Sequence, residues 1–201
     1  MKRLAIFVSG NGTNMENLLQ WIKTGELPAE AALVLSDNPE AYALERARRF
    51  GIEPVVVDRK KYESREAFEA DVRRHVELKK IDYIVLAGFM RVLSPGFVRA
   101  FPERILNIHP SFLPDFPGAH AIRDAFENKV KLSKTGTGVT VHLVTEKVDA
   151  GPPILQERVP IKEEDTLDTL EQRIHQVEYR LYPEAIKLLL EGKIKPQKKI
   201  P

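Results

Sequence analysis

Apolar and polar positions along this chain alternate between two periods, one suited to buried strands and one to amphipathic helices. Residues 4–8 form a continuous apolar run, the pattern of a strand buried on both faces. From about residue 15 to 24, Leu18, Leu19 and Ile22 share one helical stripe, and Gly25 stands just past the end as a stop. Residues 32–35 read as the next strand, closed by Asp37-Asn38-Pro39. Residues 41–50 read as a helix stopped by Gly51, and 54–57 as a third strand. A charged helix is expected over about 64–80, with Phe68, Val72 and Val76 turned inward, followed by a buried strand at 83–87. Ser94-Pro95 supplies a cap and a proline at the first helical position. A fifth strand covers 105–109.

The texture changes after about residue 118. A short helix is expected at 122–128 and strands at 137–144 and 154–160. Their connection is too short for a crossover helix and so implies mixed pairing. Residues 166–191 carry the longest helical pattern, interrupted by Pro183 and ended by Gly192. Strand and helix alternate through most of the chain. That predicts an α/β fold: an open, mostly parallel, Rossmann-like sheet with helices on both faces and a mixed C-terminal extension. No repeat, low-complexity stretch or linker interrupts it. Residues 1–201 read as one domain, with 193–201 a basic, flexible tail.

Composition narrows the function classes. The 201 residues are 43% apolar and 30% charged, ordinary for a globular chain with a real core. A net charge of +2 gives no field to draw nucleic acid or an anionic membrane. With no cysteine there is no disulfide, thiolate metal site or thiol nucleophile. The apolar run at 4–8 is too short for a signal-peptide core or a membrane span, so a cytoplasmic protein is expected.

Four segments carry candidate chemistry. In Asn107-Ile108-His109-Pro110-Ser111, residues two apart on a strand share a face, so Asn107 and His109 present an amide donor and a titratable imidazole together. Such a pair can stabilise an oxyanion and move a proton; it also suits a strand-end turn closed by Asn and capped by His. Downstream, the alternating strand 138–144 leads to Val148-Asp149-Ala150-Gly151-Pro152, a lone acid before Gly-Pro. The loop Ser9-Gly10-Asn11-Gly12-Thr13-Asn14 lies between the first strand and first helix, where backbone N–H groups and the helix dipole attract an anion. That loop also suits an ordinary tight turn. As Gly10-x-Gly12 it begins a dinucleotide fingerprint, with Asp37 near the ribose-binding position, but Met15 stands where the third glycine belongs. After the fourth strand, Met90, Val92 and Leu93 offer apolar walls for a flat heterocycle, or core for the adjoining helix. No histidine pair has zinc-like spacing with an acid, so no metal is expected.

The Asn-x-His of 107–109 together with Asp149 resembles the folate-dependent formyltransferases. The loop 9–14 and Leu86-Ala87-Gly88-Phe89-Met90-Arg91 favour those members that act on glycinamide ribonucleotide, and the likeness runs from about residue 3 to 192. The resemblance implies transfer of a formyl group from the co-substrate 10-formyltetrahydrofolate to the amine of glycinamide ribonucleotide, in de novo purine biosynthesis, by a monomer or homodimer. It implies that Asn107 holds the oxyanion and that His109 is a second donor or proton carrier. Asp149 would orient His109 or relay a proton through water. It assigns Gly12, Thr13, Asn14, Gly88, Glu178 and His175 to the ribonucleotide. Arg65, Met90, Arg91, Val92 and Leu93 fall to the folate, with Thr145 and Val148 closing its other side. His142 and His120 are supporting residues. Two positions depart from relatives: His175 replaces a usual glutamine, and Asp115 stands where some carry lysine. Rival readings are a deformylase sharing the three catalytic residues but carrying an extra N-terminal domain, a tRNA-directed relative with an extra C-terminal domain, and a dinucleotide-binding protein. The first strand begins by Leu4 and the chain ends soon after the last helix, which speaks against both extra domains.

Overall fold

The computed structural model describes residues 1–128, 132 and 135–193. The chain runs β1 (Lys2–Val8), α1 (Thr13–Lys23), β2 (Ala29–Ser36), α2 (Ala43–Arg49), β3 (Val55–Val56), a short 3-10 turn (Arg59–Lys61) and α3 (Arg65–Leu78). It continues through β4 (Tyr83–Leu86), α4 (Pro95–Ala100), β5 (Ile105–His109), α5 (Ala121–Glu127), β6 (Thr137–Leu143), β7 (Pro153–Val159) and α6 (Leu167–Leu190). The strands form a seven-stranded sheet in the order β3-β2-β1-β4-β5-β6-β7. β1 pairs in parallel with β2 and β4, and β2 with β3. β6 and β7 are antiparallel, the mixed extension that the short connection implied. The chain divides into two compact units, Met1–Leu106 and Asn107–Pro201, with the boundary inside β5.

In the first unit β1 lies between two partners, and Leu4 to Val8 are all fully buried, which is why that run carries no polar position. α1 turns Met15, Leu18 and Leu19 inward, and α3 turns in Phe68, Val72 and Val76. Element ends depart from the hydropathy reading where pairing or backbone geometry sets them. β2 begins at Ala29 because Ala29 pairs with Lys2 of β1, three residues before the apolar run suggests. α1 begins at Thr13 rather than 15, because Gly12 with φ 77° turns the chain directly into the helix with no side-chain cap.

In the second unit α6 packs on β6, β7 and α5, and continues unbroken through Pro183. Its start is locked. Thr166 and Thr169 form a reciprocal capping box, and buried Asp165 accepts from both terminal nitrogens of Arg173 at 2.7 Å. The Arg173 guanidinium holds the Asp165 carboxyl far below the usual carboxylate range. Of the tail expected at 193–201, all but Lys193 lies outside the described residues.

Candidate active site

β5 ends the way its sequence suggests. Leu106 and Ile108 point to one face, Asn107 and His109 to the other, and Pro110 cannot donate to a further ladder bond. The structure brings Asn107, His109 and Asp149 together and adds a fourth member, His142 from β6. His142 Nδ1 lies 2.9 Å from the Leu143 carbonyl, so Nδ1 carries the proton. Its Nε2 is then an acceptor and takes a hydrogen bond from Asn107 Nδ2 at 3.3 Å. One Asn107 amide hydrogen is thereby fixed on His142, and the orientation of the other follows. Asp149 sits between the imidazoles, its Oδ2 3.5 Å from His109 Nδ1 and its Oδ1 3.7 Å from His142 Nε2. His109 Nε2 donates to the Phe116 carbonyl at 2.8 Å, which leaves Nδ1 as the nitrogen facing the carboxylate.

Burial lowers the His142 pKa below 6.5. The Leu143 hydrogen bond and Asp149 oppose the shift, and His109 adds to it. His142 therefore stays neutral, as its role of acceptor toward Asn107 requires. In the unfolded chain it binds a proton more readily than in the folded one. Its contribution to stability is thus complete above pH 6.5 and is lost as pH falls through the lower folded value. A thermal-unfolding series from pH 7 to about pH 5 is expected to show a shallower loss of melting temperature in His142→Asn than in the parent. Equal slopes would mean that His142 does not titrate across folding.

The loop behind this cluster is held by residues that the sequence reading did not single out. Thr140 Oγ1 on β6 donates to the Ser111 carbonyl at 2.7 Å and accepts the Leu113 N–H at 3.0 Å. Gln156 Nε2 on β7 donates to the Leu113 carbonyl at 2.9 Å and to Thr140 Oγ1 at 3.0 Å. Gly138 makes room: a Cβ there would stand 2.8 Å from Phe112 Cβ. The signal for Thr140 was present, as a hydroxyl on an inward strand position, but its partners are distant in sequence. At the other end of the loop, Gly118 N–H donates to Asp149 Oδ2 at 2.9 Å. Asp149 has φ 49°. Two residues on, a Cβ at Gly151 would lie 1.7 Å from the Leu143 carbonyl oxygen, so only glycine lets the loop return this closely.

The remaining assigned residues of the second unit lie elsewhere in it. Glu178 is buried on α6, with His175 Nε2 4.0 Å from its Oε2. His175 is also 3.9 Å from Glu171 and stacks on Tyr179. His120 lines a cavity of about 220 Å³ with Pro110, Ile122, Arg123, Leu167 and Glu171. Val148 is an exposed apolar side chain, and Thr145 Oγ1 donates to the Lys147 carbonyl at 3.1 Å.

In the first unit the glycine loop is braced from beneath. The Gly10 carbonyl accepts the Ala43 N–H at 3.1 Å, and Arg46 donates to the Asn11 carbonyl and to its side-chain oxygen, both at 2.9 Å. Thr13 and Asn14 stand in the first turn of α1. Gly88, with φ 76°, accepts the Ser9 N–H at 3.1 Å. Asp37, the acid of the dinucleotide reading, accepts from Arg91 Nε at 2.7 Å, and Met15 is fully buried in the core. Beyond β4, Met90 and Val92 are 74% and 60% exposed, whereas Leu93 turns inward at 6%. Arg65, rather than projecting freely, donates to Glu69 and to the Val92 carbonyl. Among the described residues no cluster of three or more His, Asp or Glu is arranged to hold a metal ion, and no helix is long and apolar enough to cross a membrane.

An amide, two imidazoles and a carboxylate gathered at a strand end of an α/β sheet can together stabilise an oxyanion and move a proton. The comparisons with known proteins make the class specific. Residues 2–186 match the formyl transferase family, and the chain belongs to it. It is 43% identical over 190 residues to the phosphoribosylglycinamide formyltransferase of Bacillus subtilis, covering 94% of this chain and 95% of that one. It is 43% identical over 192 residues to the trifunctional purine biosynthetic protein adenosine-3 of Gallus gallus, covering 96% of this chain and 19% of that protein. The crystal structure of glycinamide ribonucleotide transformylase 1 from Symbiobacterium toebii superposes with a TM-score of 0.91 at 42% identity, covering 98% of this chain and 95% of that one.

Proposed function

We propose that this chain transfers the formyl group of 10-formyltetrahydrofolate to the amine of glycinamide ribonucleotide in purine biosynthesis. Family membership and the full-length likeness to such enzymes support the reaction. The observation that carries the mechanism is the Asn107–His142 hydrogen bond beside the His109–Asp149 approach. The amine attacks the formyl carbon, a carbon–nitrogen bond forms, and the carbonyl oxygen becomes an oxyanion. Asn107 donates to it with the amide hydrogen that His142 does not hold. His109, with Nε2 on the Phe116 carbonyl and Nδ1 toward Asp149, places positive charge nearby when protonated. The amine loses a proton as the folate nitrogen gains one and leaves, so the transfer is proton-neutral overall. Asp149, facing His109 Nδ1, orients that imidazole or relays the proton through water. A bare aspartate is too weak a base to take that proton outright at pH 7.

The ribonucleotide reading rests on the braced glycine loop for the phosphate and on Gly88, Glu178 and His175 for the rest. The folate reading rests on Arg65, Arg91 and the exposed Met90, Val92 and Val148, with Thr145 and Leu93 behind them. His120 is a supporting residue by the family likeness alone. The net charge of +2 gives no field to draw nucleic acid or an anionic membrane, and the chain is read as a cytoplasmic monomer or homodimer.

All the chemical groups named would serve hydrolysis too. Selectivity for amine over water must come from positioning, which contributes roughly 7–11 kcal/mol in the best intramolecular cases. Consumption of 10-formyltetrahydrofolate is therefore expected to depend on glycinamide ribonucleotide. Equal consumption without it, with release of formate, would make the chain a deformylase.

A further inference from the structure

The segment 89–94 between β4 and α4 belongs to no strand or helix, yet four of its six residues are tied down. Met90 N–H donates to Ser9 Oγ at 2.9 Å. Arg91 Nε donates to Asp37 Oδ2 at 2.7 Å. The Val92 carbonyl accepts from Arg65 Nη2 at 2.5 Å. Ser94 gives both its N–H, at 2.7 Å, and its hydroxyl to Glu69, while the same hydroxyl oxygen caps α4 by accepting the Phe97 N–H at 3.1 Å. Glu69 Oε1 also accepts from Arg65 Nε at 3.2 Å.

Two of these anchors are buried acids. The Asp37 and Glu69 side chains are 4% and 7% exposed, while their partners Arg91 and Arg65 are 49% and 40% exposed. Neither acid is what packing alone would select. Glu69 sits beside Phe68, Val72 and Val76 on the inward side of α3, where an apolar residue would avoid desolvating a charge. A guanidinium carries five N–H groups, and here each arginine gives only one or two to the protein. The acids thus fix two arginines by one edge and hold the intervening backbone as a shelf, with Met90 and Val92 turned outward. Half-exposed guanidinium groups, each tethered by a buried acid, beside exposed apolar side chains suit a ligand with a flat apolar body and carboxylates at its end.

We propose that Glu69 and Asp37 are positioning residues for the folate co-substrate, setting the segment 89–94 and the arginines Arg65 and Arg91 before it arrives. The inference rests on the reading of this segment as the folate side. Preorganisation lowers the cost of ordering a loop on binding, so its loss falls on affinity rather than on the chemical step. In steady-state assays, Glu69→Ala is expected to raise KM for 10-formyltetrahydrofolate about tenfold, with kcat and KM for the ribonucleotide within about twofold. Glu69→Gln, which keeps an acceptor for the Ser94 N–H, recovers much of the loss, and Asp37→Asn raises the same KM. Val92→Asp is the control, since it spoils the outward face directly. If Val92→Asp weakens folate and neither acid variant does, the positioning role is overturned and the folate reading stands. If Val92→Asp has no effect either, the folate reading of the segment falls and the inference with it. Equal changes in kcat and both KM values, with a lowered melting temperature, would also overturn it, leaving Glu69 as an ordinary structural contact.

Discussion

Replacing Asn107 by alanine lowers kcat by about a hundred- to a thousand-fold and changes KM for either substrate little. The amide is aimed before substrate arrives, because neutral His142 holds one of its hydrogens. If the other meets the oxyanion, as proposed, it meets an oxygen that becomes strongly charged only in the transition state, and an interaction made there appears in kcat. His109→Ala is expected to behave similarly, since it removes the imidazole that faces Asp149. The two-residue logic is checked by a cycle. His142→Phe slows the parent but adds little on the Asn107→Ala background, because His142 works through the amide. Turnover near the parent's in Asn107→Ala would remove it from the catalytic set, and additive losses in the cycle would give His142 an independent role.

The second large effect is expected at Gly12. Its φ of 77° lies where side chains are rarely tolerated, and a Cβ there would stand 2.5 Å from Ala43 Cβ and 2.9 Å from Ala43 Cα. α2 cannot simply withdraw, because the Ala43 N–H is bonded to the Gly10 carbonyl. Gly12→Val must therefore displace the loop itself, at a stability cost on the order of 1–3 kcal/mol. If the loop holds the ribonucleotide phosphate with its N–H groups, KM for the ribonucleotide rises on the order of a hundredfold while that for folate moves far less. Paired measurements of both KM values and of the melting temperature decide it. Weakening of folate alone would reverse the assignment of the loop, and equal weakening of both would mark general damage.

Hydropathy period and breakers placed nearly every element, because buried strands such as β1 and striped helices such as α3 leave marks within a single window of sequence. The ends were less readable. β2 starts where its partner starts, and α1 where a glycine turns the chain, and neither is encoded in local apolarity. The site divides the same way. Asn107 and His109 are two apart on one strand, so their convergence could be read directly. Asp149 and His142 joined them through likeness to a family. Thr140, Gln156 and Glu69 carry no distinguishing mark of their own, because the loop contacts that give them meaning lie between 16 and 43 residues away. Arg65 was reached only through the family likeness, and only the fold reveals the Glu69 carboxylate that it meets.

Asp149 holds its carboxylate between two histidines from a backbone with φ 49°, a region that Asp, Asn and glycine enter most readily. The position is therefore filtered twice, by conformation and by charge. Glutamate keeps the charge but not the backbone preference, and it carries an extra methylene into a space set by Gly118 and both imidazoles. Asparagine keeps the backbone and the volume and gives up the charge and one acceptor oxygen. For this chain the cleanest electrostatic probe is thus also the substitution that the turn accepts most easily, and the range of residues that evolution can sample at 149 is set by torsional geometry as much as by the reaction.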